Sequence, residues 1–196
     1  MNIYFDTEFT GLQKDTTLIS IGLIAEDGST FYAEFTDYNK SQCDDWIREN
    51  VINNLLLTDR EDDCYILMQK YKGLMKYPCS LEVKHNKTII KRELLGWLEQ
   101  FDEIQLVSDV CHYDMVLFID IFGSAWDLPK NIAPCCVDIN QMIAEYLNTS
   151  NKEAFDLNRE HFLLYLEEGS ELPNGNKHNS LFDAKVIKGI YERINW

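Results

Sequence analysis

Apolar residues recur along this chain with two different periods, and the change from one to the other divides it. Residues 2–6, 17–25 (TLISIGLIA) and 29–35 (STFYAEF) are rich in β-branched and aromatic side chains, which predicts three strands. Asp27-Gly28 marks a tight turn, so the second and third strands are expected to pair as a hairpin and open the sheet in antiparallel fashion. The period then lengthens. Residues 45–51 have helical character, and Ile90, Leu94, Trp97, Leu98 and Phe101 sit at offsets 0, 4, 7, 8 and 11, one face of an amphipathic helix over 88–101. A strand over 103–108 follows, then a helix over 112–122 with Gly123 ending it. A strand near 134–138 and helices near 139–147, 158–167 and 180–194 complete the pattern. Residues 59–86 carry no legible period and belong to a stretch, about 38–86, that reads as an insertion. Strands first and helix–strand alternation later predict one α/β domain over 1–196, with a mixed sheet flanked by helices.

Composition changes this picture little; charge changes it more. A chain of 196 residues buries about 70% of its unfolded surface and needs no disulfide or structural metal to fold. Lys and Arg number 18 against 33 Asp and Glu, a formal net charge of −15. That argues against a protein gripping long nucleic acid through a broad basic surface. It leaves room for one that handles a single strand end in a small pocket, where bound cations reverse the local field. Six cysteines without a C-x-x-C pair argue against a zinc site and read as reduced thiols. The N-terminus lacks the basic and long apolar regions of a signal peptide, and no apolar run is long enough to span a bilayer. The expected compartment is the cytoplasm.

Carboxylates occupy positions where a core is expected. In the last helix Asp183 heads the stripe of Val186, Ile187, Ile190, Tyr191 and Ile194, and in the helix over 112–122 Asp114 heads Leu117, Phe118, Ile121 and Phe122. Asp6 and Glu8 lie two apart on the first strand and share one face of the sheet. Any one of these acids alone fits a helix cap or a favourable place at a dipole end. Four inward acids from three elements repel one another unless a multivalent cation sits between them, and hard oxygen ligands suit Mg²⁺ or Mn²⁺.

Three motifs in order carry a resemblance. Phe5-Asp6-Thr7-Glu8-Phe9-Thr10-Gly11-Leu12, His112-Tyr113-Asp114 and His178-Asn179-Ser180-Leu181-Phe182-Asp183 resemble the motifs of the DEDDh 3′–5′ exonucleases, whose third motif places His five residues before Asp. Leu18-Ile19-Ser20-Ile21-Gly22, Trp46-x-x-x-Asn50-Val51, Ile121-Phe122-Gly123 and Leu128-Pro129 look like the small bacterial 3′–5′ exoribonuclease-like proteins of the ribonuclease T superfamily. The resemblance implies a ribonuclease H-like fold, which agrees with the periodicity.

It also implies chemistry. Asp6, Glu8, Asp114 and Asp183 would hold two divalent cations, Mg²⁺ or Mn²⁺, and His178 would act as general base. Thr7 and Phe9 would contact the terminal nucleotide through backbone N–H groups and an aromatic surface, Leu12 would wedge beside the terminal bases, and Lys177 would reach a phosphate. Lys177 stands where relatives often carry Arg and loses the bidentate fork; Asp109 stands where many carry a neutral residue. The expected substrate is the 3′ end of RNA, or of single-stranded DNA or an overhang, and the subgroup suggests a homodimer with no membrane association. A competing class, a nucleic-acid-binding or scaffolding protein that kept the fold and lost catalysis, would be signalled by a missing motif acid. None is missing. Cys111-His112 is a poor thiol nucleophile pair because neighbours on a helix diverge, and no phosphate-cradling Gly motif occurs.

Overall fold

Alternation along the first strand sets the layering. The computed structural model describes residues 1–58, 65–70, 79–167, 169 and 171–195. Strand β1 (Asn2–Phe9) sends Ile3 and Phe5 into one core and Tyr4 into another, on the opposite face of the sheet. It pairs antiparallel with β2 (Leu18–Ala25), which pairs antiparallel with β3 (Thr30–Phe35). The expected hairpin turn is present: Gly28 takes φ +86°, and Asp27 Oδ1 accepts the Ser29 N–H at 2.9 Å. On the other side of β1, β6 (Ile104–Ser108) runs parallel to it and β7 (Ile132–Asp138) parallel to β6.

Beyond β3 the sheet continues through β5 (Cys79–His85), parallel to β3, and β4 (Tyr65–Lys70), antiparallel to β5. The order is β4-β5-β3-β2-β1-β6-β7. Part of the stretch without a legible period therefore extends the sheet; residues 59–64 and 71–78 of it lie outside the described residues.

Helices cover both faces. Ile90, Leu94, Trp97 and Leu98 of α2 (Lys87–Leu98) join Leu117, Phe118, Ile121 and Phe122 of α3 (His112–Phe122) over the Ile3 and Phe5 side. On the Tyr4 side lie α4 (Ile139–Tyr146), α6 (Arg159–Leu166) and α7 (Ser180–Ile194), with Ile139, Ile143, Phe162, Val186, Ile187 and Ile190 in the core. Helix α1 (Asp45–Asn50) is capped by Asp44, and the short α5 (Asn151–Phe155) by a Ser150–Glu153 capping box. Among the described residues no helix is long and apolar enough to cross a membrane.

Three boundaries differ from the periodicity for physical reasons. β1 runs on through Phe9 because its ladder with β2 continues past two acids that interrupt the apolar pattern. β7 begins at Ile132 and tolerates Pro134 because it is an edge strand. α2 stops at Leu98, yet Phe101 still packs into the core from the following turn.

Candidate active site

The site forms where β1 meets the first turns of α3 and α7. Asp6 and Glu8 share the Tyr4 side of β1, the side covered by α7. Helix α7 approaches closely because Gly22 of β2, the cross-strand partner of Asp6, has no side chain: a Cβ there would lie 2.3 Å from the Leu181 nitrogen. Beside it the buried hydroxyls of Ser20 and Ser180 are 2.9 Å apart. Asn179 caps α7, its side chain accepting the N–H groups of Leu181 and Phe182, and places Asp183 in the first turn.

Asp114 enters from α3 and is only 7% exposed. Its Oδ1 accepts both the Thr7 backbone N–H at 2.9 Å and the Thr7 hydroxyl at 2.5 Å. Thr7, expected to offer its N–H to a terminal nucleotide, instead gives both donors to Asp114. Phe9 stacks on Tyr113, with ring centroids 5.3 Å apart and planes 17° from parallel. The Tyr113 hydroxyl donates to the Leu12 carbonyl. Leu12 itself is 75% exposed on the rim of the cavity.

His178 stands beside the acids. One ligand atom each from Glu8, His178 and Asp183 lie within 4.8 Å of one another. Its backbone N–H donates to the Asp183 carboxylate, and its ring meets Trp46 edge-on at 5.0 Å. Lys177 Nζ lies 3.6 Å from Glu160. A cavity of about 840 Å³ joins these groups and is also lined by Asp109, Phe155, Leu157 and Arg159.

The electrostatics are those of crowded anions. Burial pushes the Asp6 carboxyl well above its ordinary range, and the charges of Asp114, Asp183, Glu8 and Asp109 push it further. Glu8 is raised well above its range by burial and then by Asp183 and Asp114. Burial lifts Asp114 to about 6 against the pull of its Thr7 hydrogen bonds. Burial also lifts Asp183 to about 7, opposed by the His178 N–H and reinforced by Glu160. His178 is lowered by burial and by Lys177, with Glu160 opposing. Among the described residues none of the four acids forms an ion pair with Lys or Arg. Unpaired, mutually repelling hard-oxygen donors fit divalent cations of the Mg²⁺ or Mn²⁺ type.

Three groups in or behind this wall had no sequence signal as site residues. Arg159 commits all five of its donors: to both oxygens of Asp109, to Asn140 Oδ1, and to the carbonyls of Ala154 and Leu157. Asp109 is thereby held by a cation from α6. Glu160 brings a further acid to the cavity, with one buried oxygen lacking a hydrogen bond. Asn54, beyond the end of α1, reaches the backbone next to His178. Each depends on a contact distant in sequence, which no local pattern reveals.

Comparison with known proteins bears on the fold that carries this arrangement. No family model matches the chain. Two relatives, 3′–5′ exoribonucleases from Mycobacterium tuberculosis strains CDC 1551 and H37Rv, are each 25% identical over 144 residues, covering 72% of this chain and 73% of theirs. The nuclease domain of 3′hExo, a DEDDh family member bound to rAMP, superposes with TM-score 0.64 at 16% identity, over 99% of this chain and 90% of that one. A full-length 3′-exonuclease superposes at 0.60 and 15% identity, over 99% and 80%. The structural class is therefore the ribonuclease H-like fold, a mixed sheet flanked by helices as in a DEDDh exonuclease. Within that class, the relatives named from sequence are 3′–5′ exoribonucleases, hydrolytic enzymes whose likeness agrees with the three motifs.

Proposed function

We propose that this chain is a metal-dependent 3′–5′ exonuclease that removes nucleotides one at a time from the 3′ end of RNA. The observation that carries this reading is the convergence of four acids from β1, α3 and α7, without a basic partner among the described residues, beside a half-buried histidine. Asp6, Glu8 and Asp183 would hold one divalent cation and Asp6 with Asp114 a second. Bound Mg²⁺ or Mn²⁺ supplies charge to neutralise phosphate and acidity to generate hydroxide near neutral pH.

The chain's own residues do the rest. The reaction adds water across the terminal phosphodiester, breaking the bond from phosphorus to the bridging 3′ oxygen and releasing a nucleoside 5′-monophosphate. His178 accepts the water's proton; its lowered pKa keeps the ring neutral and receptive at physiological pH. Thr7 fixes Asp114. Leu12, Trp46 and Phe155 give the cavity exposed apolar walls on which the terminal bases can stack.

The test uses 5′-labelled RNA and DNA, single-stranded or with a 3′ overhang, with Mn²⁺, Mg²⁺ or EDTA. The expected result is a descending ladder from RNA with either cation, none in EDTA, and slow digestion when the 3′ hydroxyl is blocked. The DNA and overhang arms fix the breadth of substrate. Cleavage of a circular single strand would overturn the assignment.

A further inference from the structure

His178 occupies the left-handed region at φ +61°, a conformation that a non-glycine residue keeps only where its surroundings hold it. One segment, residues 46–54, supplies several of those contacts. Asn54 Nδ2 donates to the Lys177 carbonyl at 2.9 Å, in the peptide group directly preceding His178, and to the Asn50 carbonyl at the end of α1 at 2.5 Å. On the other side of His178, the Asn179 side chain donates to the Asn54 carbonyl at 2.9 Å and to the Tyr32 hydroxyl at 3.2 Å. Asn176 reaches Asn54 Oδ1 at 3.5 Å. The ring itself meets Trp46, from the same helix that ends at Asn50. The histidine is thus gripped before, after and at the ring by residues 46–54 and their partner Asn179.

We propose that Asn54 is a positioning residue for His178, setting the backbone rotation that aims the imidazole at the acids. This rests on the reading of His178 as proton acceptor. Asn54 hydrogen-bonds to none of the four acids, so its removal acts on them only through the His178 N–H that faces Asp183 and falls chiefly on the aim of the imidazole. Asn179 shares the clasp but also caps α7, which makes it the poorer probe.

The test is a double-mutant cycle with Asn54→Ala, His178→Asn and both together. It measures kcat and KM on a 3′-terminal RNA oligomer, Mn²⁺ affinity and melting temperature. The expected result is kcat lower by about 10–100-fold, the effect of a misplaced group, with KM and Mn²⁺ affinity within about twofold and no further loss when His178 is already Asn. Asn54→Asp keeps the volume and loses the donors, so it is expected to match Asn54→Ala. Losses that multiply across the cycle, or that lie in Mn²⁺ affinity, would overturn the proposal. NMR of the His178 ring separates this from the function itself. In a wild-type protein without nuclease activity the proposed function fails, while displacement of the His178 resonances by Asn54→Ala still supports the clasp and unmoved resonances reject it.

Discussion

Gly22 lies directly across the β1–β2 ladder from Asp6, and the space a side chain would take is filled by the backbone of Ser180 and Leu181. The absence of a Cβ is what lets α7 seat its first turn on the sheet and bring Asp183 to Asp6. Backbone cannot swing aside as a flexible side chain does. Gly22→Ala is therefore expected to destabilise the fold by about 1–3 kcal/mol, the usual range for overpacking, and to reduce nuclease activity beyond what the unfolded fraction explains. Urea titration and rates at a temperature where the variant is folded check this. A variant with wild-type stability would mean that the helix can shift at no cost.

His178→Ala and His178→Asn are expected to differ in stability while sharing a catalytic defect. Both remove the proposed base, and the rate should fall roughly 10²–10⁴-fold. At φ +61° alanine carries a steric penalty of about 1–2 kcal/mol that asparagine largely escapes. Thermal melts should place the Ala variant below the Asn variant, with the Mn²⁺-dependent rise in melting temperature retained in the latter. Wild-type turnover in His178→Asn would remove His178 from the mechanism.

The buried acids also set a pH dependence of stability with an unusual sign. Asp114 and Asp183 are raised from 3.8 to about 6 and about 7, so the folded state binds protons that the unfolded chain has released. Stability from these groups is full below about pH 4 and is lost as pH rises toward 7. Metal-free protein should melt higher at pH 5 than at pH 8. At pH 8, Mn²⁺ at a hundredfold excess over Kd should return about 2.7 kcal/mol. A metal-free melting temperature that climbs steadily from pH 5 to 8 would contradict the crowded-anion account.

Asp6→Asn isolates the same effect in one residue. It removes one charge from the cluster with little change in volume, so it should abolish activity yet melt no lower than wild type in EDTA. Most of the Mn²⁺-induced rise should vanish with it. Retention of the full rise would show that Asp6 is not part of the cation site.

Arg159→Met should act in the opposite direction. Five donors are lost and Asp109, whose charge already presses on Asp6 and Asp114, is left without its cation. The expected destabilisation is about 1–3 kcal/mol, the penalty for leaving a half-buried charged group unsatisfied. Adding Asp109→Asn should recover part of it. Additive losses in the double variant would show that the pair is not coupled.

Much of this architecture was legible in the sequence because its signals are local. The three opening strands, the α2 stripe and the helices carrying Asp114 and Asp183 all announce themselves within a dozen residues. The antiparallel opening and the mixed sheet followed from them. What stayed hidden depends on distant partners. Residues 65–70 and 79–85 become strands by pairing with each other and with β3, not through an internal period. Asp6 and Glu8 concealed the true length of β1 because polar chemistry replaced the apolar alternation that marks a strand. Thr7 pointed by position to substrate, and only the fold reveals that its donors belong to Asp114. Arg159 and Asn54 look like ordinary surface residues until α6 and the His178 loop arrive beside them.

The contact between Ser20 and Ser180 spans 160 residues, and this separation bears on the chain during its own synthesis. A ribosome makes Asp6 and Glu8 well before Asp183, so the growing polypeptide carries an unfinished site until α7 has been made. For a nuclease acting on RNA, that interval is spent beside a message and ribosomal RNA. Docking α7 against Gly22 joins the final acid and the histidine to the others in one event. Under the proposed function, RNA cleavage would have to wait until the α7 segment has packed against β1 and β2.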